Sequence, residues 1–274
     1  MPPLEVPAFG TAAAIQAVKL GASRVELNAL GSYKDGGLTP QVEDLRQLVA
    51  AETQIPVRVM IRPRGPPRVG ARSSAQSSER DFVYTDQELE TMESSIKAFK
   101  DSGLLKFERG DGFVFGILKE ENDVGAGSGG CKADVERCTR LIQASKPLQC
   151  VFHRAFDEIV SCDDESSSGV HTQAGLQDLA ACGFTGILTS GGLGKAIDNV
   201  KALERIIAGS GVFQIEIIVG GGVRTANVGD LITQLGMRTL TTCSPPYFHS
   251  ACLSPDGTEE ISTEEIQGII SQSG

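Results

Sequence analysis

Tryptophan is absent, and basic residues are scarce: 25 Lys and Arg stand against 35 Asp and Glu, a net charge of −10. Non-specific nucleic-acid binding is mostly phosphate neutralisation by Lys and Arg, so this balance argues against it. It argues equally against docking on an anionic membrane. No apolar run approaches the ~20 residues that a membrane helix needs. The opening MPPLEVPAF has no basic stretch followed by an apolar one, so no secretory signal is read and a cytoplasmic location is expected. No Cys-x-x-Cys occurs, which speaks against a zinc ribbon or a thioredoxin-type motif. The seven cysteines, an odd number, are expected to be free thiols. No GxGxxG follows the first β-rich run, and no GxxxxGK phosphate loop occurs.

What is present is a rhythm. Eight short runs read as strands: 4–9, 23–29, 56–62, 112–118, 148–155, 184–190, 214–219 and 239–243. Helix-like segments at 11–20, 40–52, 86–102, 132–145, 172–182, 195–209, 225–236 and 262–272 lie between and after them. Thr39-Pro40 reads as a cap followed by Pro at the first helical position. Thr85 with Glu88 reads as a capping box. Thr225 and Thr263 are further candidate caps. Strict alternation predicts a parallel sheet. Eight strands are the number that closes a (β/α)8 TIM barrel, here one domain over 1–274. An open doubly wound sheet is the alternative. The stretches 66–80, 121–130 and 161–170 break the rhythm with Pro, Ser, Gly and acidic residues. They read as flexible insertions at the C-terminal face of the barrel, as tolerated loops or as a lid.

Strand alternation assigns side chains to the barrel interior. Glu5 and Pro7 point inward from strand one, and Arg24, Glu26 and Asn28 from strand two. Arg58, Met60 and Arg62 do so from strand three, and Gln149, Val151 and His153 from strand five. Charges inside a barrel must pair. Glu5, Arg24 and Arg58 sit low and read as structural ion pairs. Glu26, Arg62 and His153 lie near the strand ends, where barrel active sites are built, and are expected to converge there. Glu26 is expected to stay ionised among arginines, leaving His153 as the proton-transfer candidate with Glu26 orienting it. Arg62 would pair with Glu26 or hold an anion. Asp157 completes the catalytic candidates, and Arg64 and Arg154 are lower-ranked anion ligands. Ser190-Gly191 and Gly220-Gly221-Gly222 follow two late strands. They read as turns whose N–H groups face a ligand, with Ser244 opposite. His171 and His249 carry no evident motif.

Leu4-Glu5-Val6, the turn Gly36-Gly37-Leu38-Thr39-Pro40, MIRPRG (60–65), FHRAFD (152–157), LTSGG (188–192) and the GGG turn occur in one order over nearly the whole chain. In combination they resemble the CutC family. The resemblance implies a single barrel, a cytoplasmic location, a homodimer or higher oligomer, and a role in copper tolerance or trafficking with Cu(I) binding. The cysteines proposed as copper ligands in that family lie on strands one and two. The matching positions here are Pro7 and Asn28, which are not thiols, whereas Cu(I) prefers Cys and Met. No metal site is therefore assigned by that route, and Cys243 is the remaining weak candidate. Three functions follow as expectations: a copper-homeostasis protein, a barrel enzyme acting on a small anionic or phosphorylated substrate, and a non-catalytic binding protein.

Overall fold

The computed structural model describes residues 2–67, 80–121, 130–163, 169–238, 245–254 and 258–273. Eight parallel strands close into a barrel: β1 (Leu4–Phe9), β2 (Arg24–Asn28), β3 (Val57–Met60), β4 (Gly112–Phe115), β7 (Gln149–Phe152), β8 (Gly186–Thr189), β9 (Glu216–Val219) and β10 (Tyr247–His249). Their order around the barrel is β1-β10-β9-β8-β7-β4-β3-β2. A separate antiparallel hairpin, β5 (Leu118–Glu120) with β6 (Cys131–Ala133), follows β4. The helices α1 (Thr11–Lys19), α2 (Val42–Ala50), α3 (Asp86–Asp101), α4 (Val135–Ser145), α5 (Phe156–Val160), α6 (Val170–Cys182), α7 (Val200–Phe213), α8 (Val228–Gln234) and α9 (Thr263–Ser273) complete the described elements. Among the described residues no helix is long and apolar enough to cross a membrane.

The strands are short apolar runs because both their faces are covered. Their outward residues, Val25, Leu27, Val57, Val59, Phe113 and Ile187 among them, pack in the layer beneath the helices. Met60, Val114, Val151, Leu188 and Ile218 form a second, inner cluster with Tyr247 packed on it. The inward parity read from the sequence is the one observed for Met60 and Val151.

Helix starts follow side-chain chemistry. The Thr85 hydroxyl accepts from Glu88 N, and the Glu88 carboxylate accepts from Thr85 N, so α3 opens on the expected box. One face of α3, Leu89, Met92, Ile96 and Phe99, is then buried. At α2 the cap is Gln41 with Asp44, not Thr39. Thr39 instead faces β3, where its hydroxyl receives Arg62 N at 2.8 Å. At α9 Ser262, rather than Thr263, accepts the Glu265 amide.

The eighth strand is displaced from its expected place. It is Tyr247–His249, paired with β1 through Leu4–Phe248 and Glu5–His249 and with β9 through Tyr247–Ile218. The run 239–243 precedes it and, with Cys243 and Ser244, lies outside the described residues, as does most of the 66–80 insertion. Local composition places strand eight on the β-branched run TLTTC. What decides the strand is closure: Phe248 is fully buried, and Tyr247 faces inward with the Arg24 guanidinium 3.8 Å over its ring. Ser250, not Ser244, is thus the residue that follows strand eight.

Candidate functional site at the barrel mouth

A cavity of about 470 Å³ opens at the C-terminal ends of the strands. Glu26, Arg62, His153, Arg154, Asp157, Gly221 and Gly222 all line it, as do Pro7, Arg224, His249 and Ser250. It has a floor, a wall and a rim.

The floor is ionic. Arg24 binds Glu5 through Nε and Glu216 through a terminal nitrogen at 2.8 Å. The other oxygen of Glu5 lies 2.7 Å from His249 Nδ1. Burial alone would raise the Glu5 pKa, but Arg24 and the His249 hydrogen bond outweigh it and hold it at about 2. His249 moves the other way: burial disfavours its charge, yet Glu5 and Glu26 raise its pKa above the ordinary imidazole value. Arg58 is less well served. Its described partner is Gln149 Oε1 at 2.6 Å, and Nε and one terminal nitrogen are buried without an acceptor.

Glu26 does not pair with Arg62. Its Oε1 accepts from Asn28 Nδ2 at 3.0 Å, while Oε2 is buried without a donor among the described residues. Burial pushes its pKa up, Glu5 adds to this, and His249 and Asn28 only partly oppose it. The expectation of a firmly ionised carboxylate is corrected accordingly, because the arginines that would have held it ionised are engaged elsewhere. Arg62 is spent on the wall. It donates to both oxygens of Asp81 at 3.0 and 3.2 Å and to the carbonyls of Asp35 and Gly37. Glycine is required in that wall: a Cβ at Gly36 would lie 2.6 Å from an Arg62 terminal nitrogen, and one at Gly37 would lie 2.2 Å from Asn28 Oδ1.

His153 is a donor rather than a base. Its Nδ1 accepts from Ala155 N at 3.2 Å, which assigns the proton to Nε2, and Nε2 has no partner among the described residues. Burial first, then Arg62, lower its pKa to about 3. The proton-transfer role expected for it is therefore corrected to that of a neutral hydrogen-bond donor, with Phe82 packed on its ring at 4.7 Å.

On the wall between β7 and β8, Asp157 collects donors. Thr189 Oγ1 lies at 2.6 Å, Ser190 N at 2.9 Å, Ser190 Oγ at 2.9 Å and Arg154 Nε at 2.7 Å. A carboxylate so fully occupied orders the Ser190-Gly191 turn. Arg154 also donates to Ser190 Oγ at 2.8 Å. Arg64 is not in the cavity. Its Nε meets Glu88 at 2.6 Å and a terminal nitrogen meets the Val83 carbonyl at 2.7 Å, tying the strand-three loop to the start of α3. This corrects its expected role as an anion ligand: its parity carries it outward.

The rim is the Gly220–Gly222 turn after β9. Gly220 N is used by Thr189 O, and the Gly221 and Gly222 carbonyls accept from Ala196 N and Asn227 Nδ2, each at 2.9 Å. Among the described residues, the amides of Gly221, Gly222 and Val223 have no acceptor. Beside them Arg224 forms no ion pair with a described carboxylate and donates to Ser250 Oγ at 3.2 Å. Gly221 and Gly222 have φ of +95 and +75. Three site residues escaped the sequence reading: His249, Arg224 and Ser250. Arg224 had a signal, being the first charge after the glycine turn. His249 had none until strand eight was placed.

An eight-stranded parallel barrel with a charged floor and a mouth rich in backbone donors defines a class of protein. Its family is defined more closely: the CutC family model matches residues 4–244, and the chain belongs to that family. The human copper homeostasis protein cutC homolog is 32% identical over 233 residues, covering 85% of this chain and 70% of the human one. The family protein CutC of Treponema denticola is 30% identical over 271 residues, covering 94% of this chain and 93% of its own. The crystal structure of CutC from Streptococcus agalactiae aligns with a TM-score of 0.68 at 29% identity, over 92% of this chain and 99% of that one.

Proposed function

We propose that the mouth binds a small phosphorylated or otherwise anionic molecule. Its anionic group would sit on the amides of Gly221, Gly222 and Val223, with Arg224, Arg154 and Ser250 around it. The observation that carries this reading is the set on the rim that is unpaired among the described residues: three backbone donors and a guanidinium without a carboxylate, all lining one cavity. Amides and a guanidinium that face the open cavity, with no protein acceptor or carboxylate among the described residues, are a ready complement for an anion. The body of the molecule then faces Glu26, His249 and the Nε2–H of His153. These are a carboxyl group with a raised pKa, an imidazole that gains protons readily, and a fixed neutral donor, the group types of acid–base chemistry on an anionic substrate. Calorimetric titration with inorganic phosphate and a panel of small sugar phosphates tests the reading. Arg224→Ala is expected to weaken binding by about 10–100-fold, the worth of a charge-assisted hydrogen bond. Unchanged affinity, or no binding to the parent protein, sinks it.

The names of the relatives, copper homeostasis proteins, carry a second reading, a role in copper handling, which the resemblance to the family extends to Cu(I) binding in the cytoplasm by a homo-oligomer. Family membership supports it. The donor chemistry does not add to it: Pro7 and Asn28 occupy the family's thiol positions, and none of the six described cysteines lines the cavity. Cu(I) titration against a competing chelator, on the parent and on a variant with all seven cysteines replaced by Ser, tests this reading. Light scattering tests the oligomer.

A further inference from the structure

The floor of the cavity brings together Glu5 from β1, Glu26 from β2 and His249 from β10. One donor atom from each, two carboxylate oxygens and a ring nitrogen, lie within 4.8 Å of one another. Glu5 and Glu26 are 1% and 3% exposed. The cluster alone would be an ordinary buried ion-pair network. The further observation is Glu26 Oε2, which is buried and has no hydrogen-bond donor among the described residues. Leaving a carboxylate oxygen unmet at that depth is costly. The nearby cations are turned elsewhere: Arg24 to Glu5 and Glu216, Arg58 to Gln149, Arg62 to Asp81.

We propose that Glu26, His249 and Glu5 form a binding site for a divalent first-row transition ion of the zinc or manganese class. Two carboxylate oxygens with one imidazole are a hard-to-borderline set, suited to these ions and unsuited to Cu(I), which selects thiolate and thioether. Three protein ligands leave further coordination positions for water or a ligand oxygen, the pattern of a reactive site rather than a closed structural one. Glu26 and His249 line the cavity, so those positions face the space where the anionic molecule would lie. Arg24 holds the second oxygen of Glu5, which fixes its orientation as an outer partner does for a metal ligand. The site shares Glu26 and His249 with the acid–base set proposed above but uses none of the rim residues, so metal binding and anion binding are tested apart.

The test uses the full chain, stripped with EDTA and free of phosphate, so that its failure leaves the anion reading untouched. Zn²⁺ is titrated against a chromophoric chelator, and Mn²⁺ is followed by electron paramagnetic resonance. We expect one ion per chain, binding at least tenfold weaker in Glu26→Gln and in His249→Gln, and unchanged affinity in the variant with seven Cys→Ser replacements. Absence of binding, binding indifferent to both Glu26→Gln and His249→Gln, or binding lost with the cysteines overturns the proposal. Circular dichroism in EDTA checks that each variant is folded. If His249→Gln does not fold, the isosteric Glu26→Gln decides alone.

Discussion

At the residue scale, burial decides which groups carry charge. His153 is held neutral by burial and by Arg62, with its pKa lowered from 6.5 to about 3. A histidine that binds its proton less readily when folded contributes stability above its unfolded pKa and loses it as pH falls. Stability should therefore drop by roughly 1 kcal/mol per pH unit below about pH 6.5. Glu5, held at about 2, adds its own loss only below about pH 4.5. His153→Gln should flatten the limb between these values, which denaturant titrations at several pH values would show; an unchanged limb would place the effect elsewhere. Glu26 has the opposite sign. Its folded pKa is raised, so Glu26 costs the protein stability as pH rises from the ordinary carboxylate value through the raised one. In EDTA, Glu26→Gln should stabilise the protein at neutral pH by about 1–3 kcal/mol, because it removes a poorly compensated buried charge at constant shape, and the gain should fade in acid. Both corrections to the expected chemistry have one cause. Alternation along a strand tells which way a side chain points, but the partners that set its pKa arrive from other strands. His249 meets Glu5 across 244 residues of sequence, and Arg62 finds Asp81 beyond an insertion.

At the scale of elements, most of the barrel was legible because the signals were local. Seven β-branched or apolar runs and the Thr85–Glu88 box are short-range patterns, and they fall where strands and α3 form. Strand eight was not local. Tyr247–His249 is three residues, and what makes it a strand is the pair of free edges offered by β1 and β9. TLTTC, outside the described residues, has the better local composition, which is the signal that a sequence reading follows. The Gly36–Gly37 turn gives an element-scale prediction. Gly37 has φ +88, and a Cβ there would press into Asn28 Oδ1; Gly31 has φ +80 with open space around it. Gly31→Ala should cost only the backbone strain, about 1–2 kcal/mol. Gly37→Ala should cost more, because Asn28 must move and its hydrogen bond to Glu26 goes with it. Equal losses in paired denaturation curves would show that the contact at Gly37 relaxes freely.

At the scale of the molecule, the barrel closes on charge as well as on apolar surface. Glu5 on β1 touches Arg24 on β2 and His249 on β10, and Arg24 reaches across to Glu216 on β9. Four consecutive strands of the closed sheet, β2-β1-β10-β9, are thus linked through two side chains at the seam where the chain's first and last strands meet. An ion pair of this depth is a poor source of net stability, because desolvation offsets its attraction, yet breaking it from one side is expensive. Arg24→Met should therefore cost about 3–5 kcal/mol by leaving Glu5 without its strongest partner. In a protein of this size that lowers the melting temperature by roughly 6–20 °C. The pair Glu5→Gln with Arg24→Met removes both charges, and Glu216, the more exposed end of the ladder, can turn to solvent. The double variant should then be more stable than Arg24→Met alone, although it carries one more substitution. Melting curves of the parent, both single variants and the double variant in EDTA form the cycle that measures the coupling. Losses that simply add would mean that the seam is held by the apolar layer of Val6, Val25 and Phe248, with the charges as passengers.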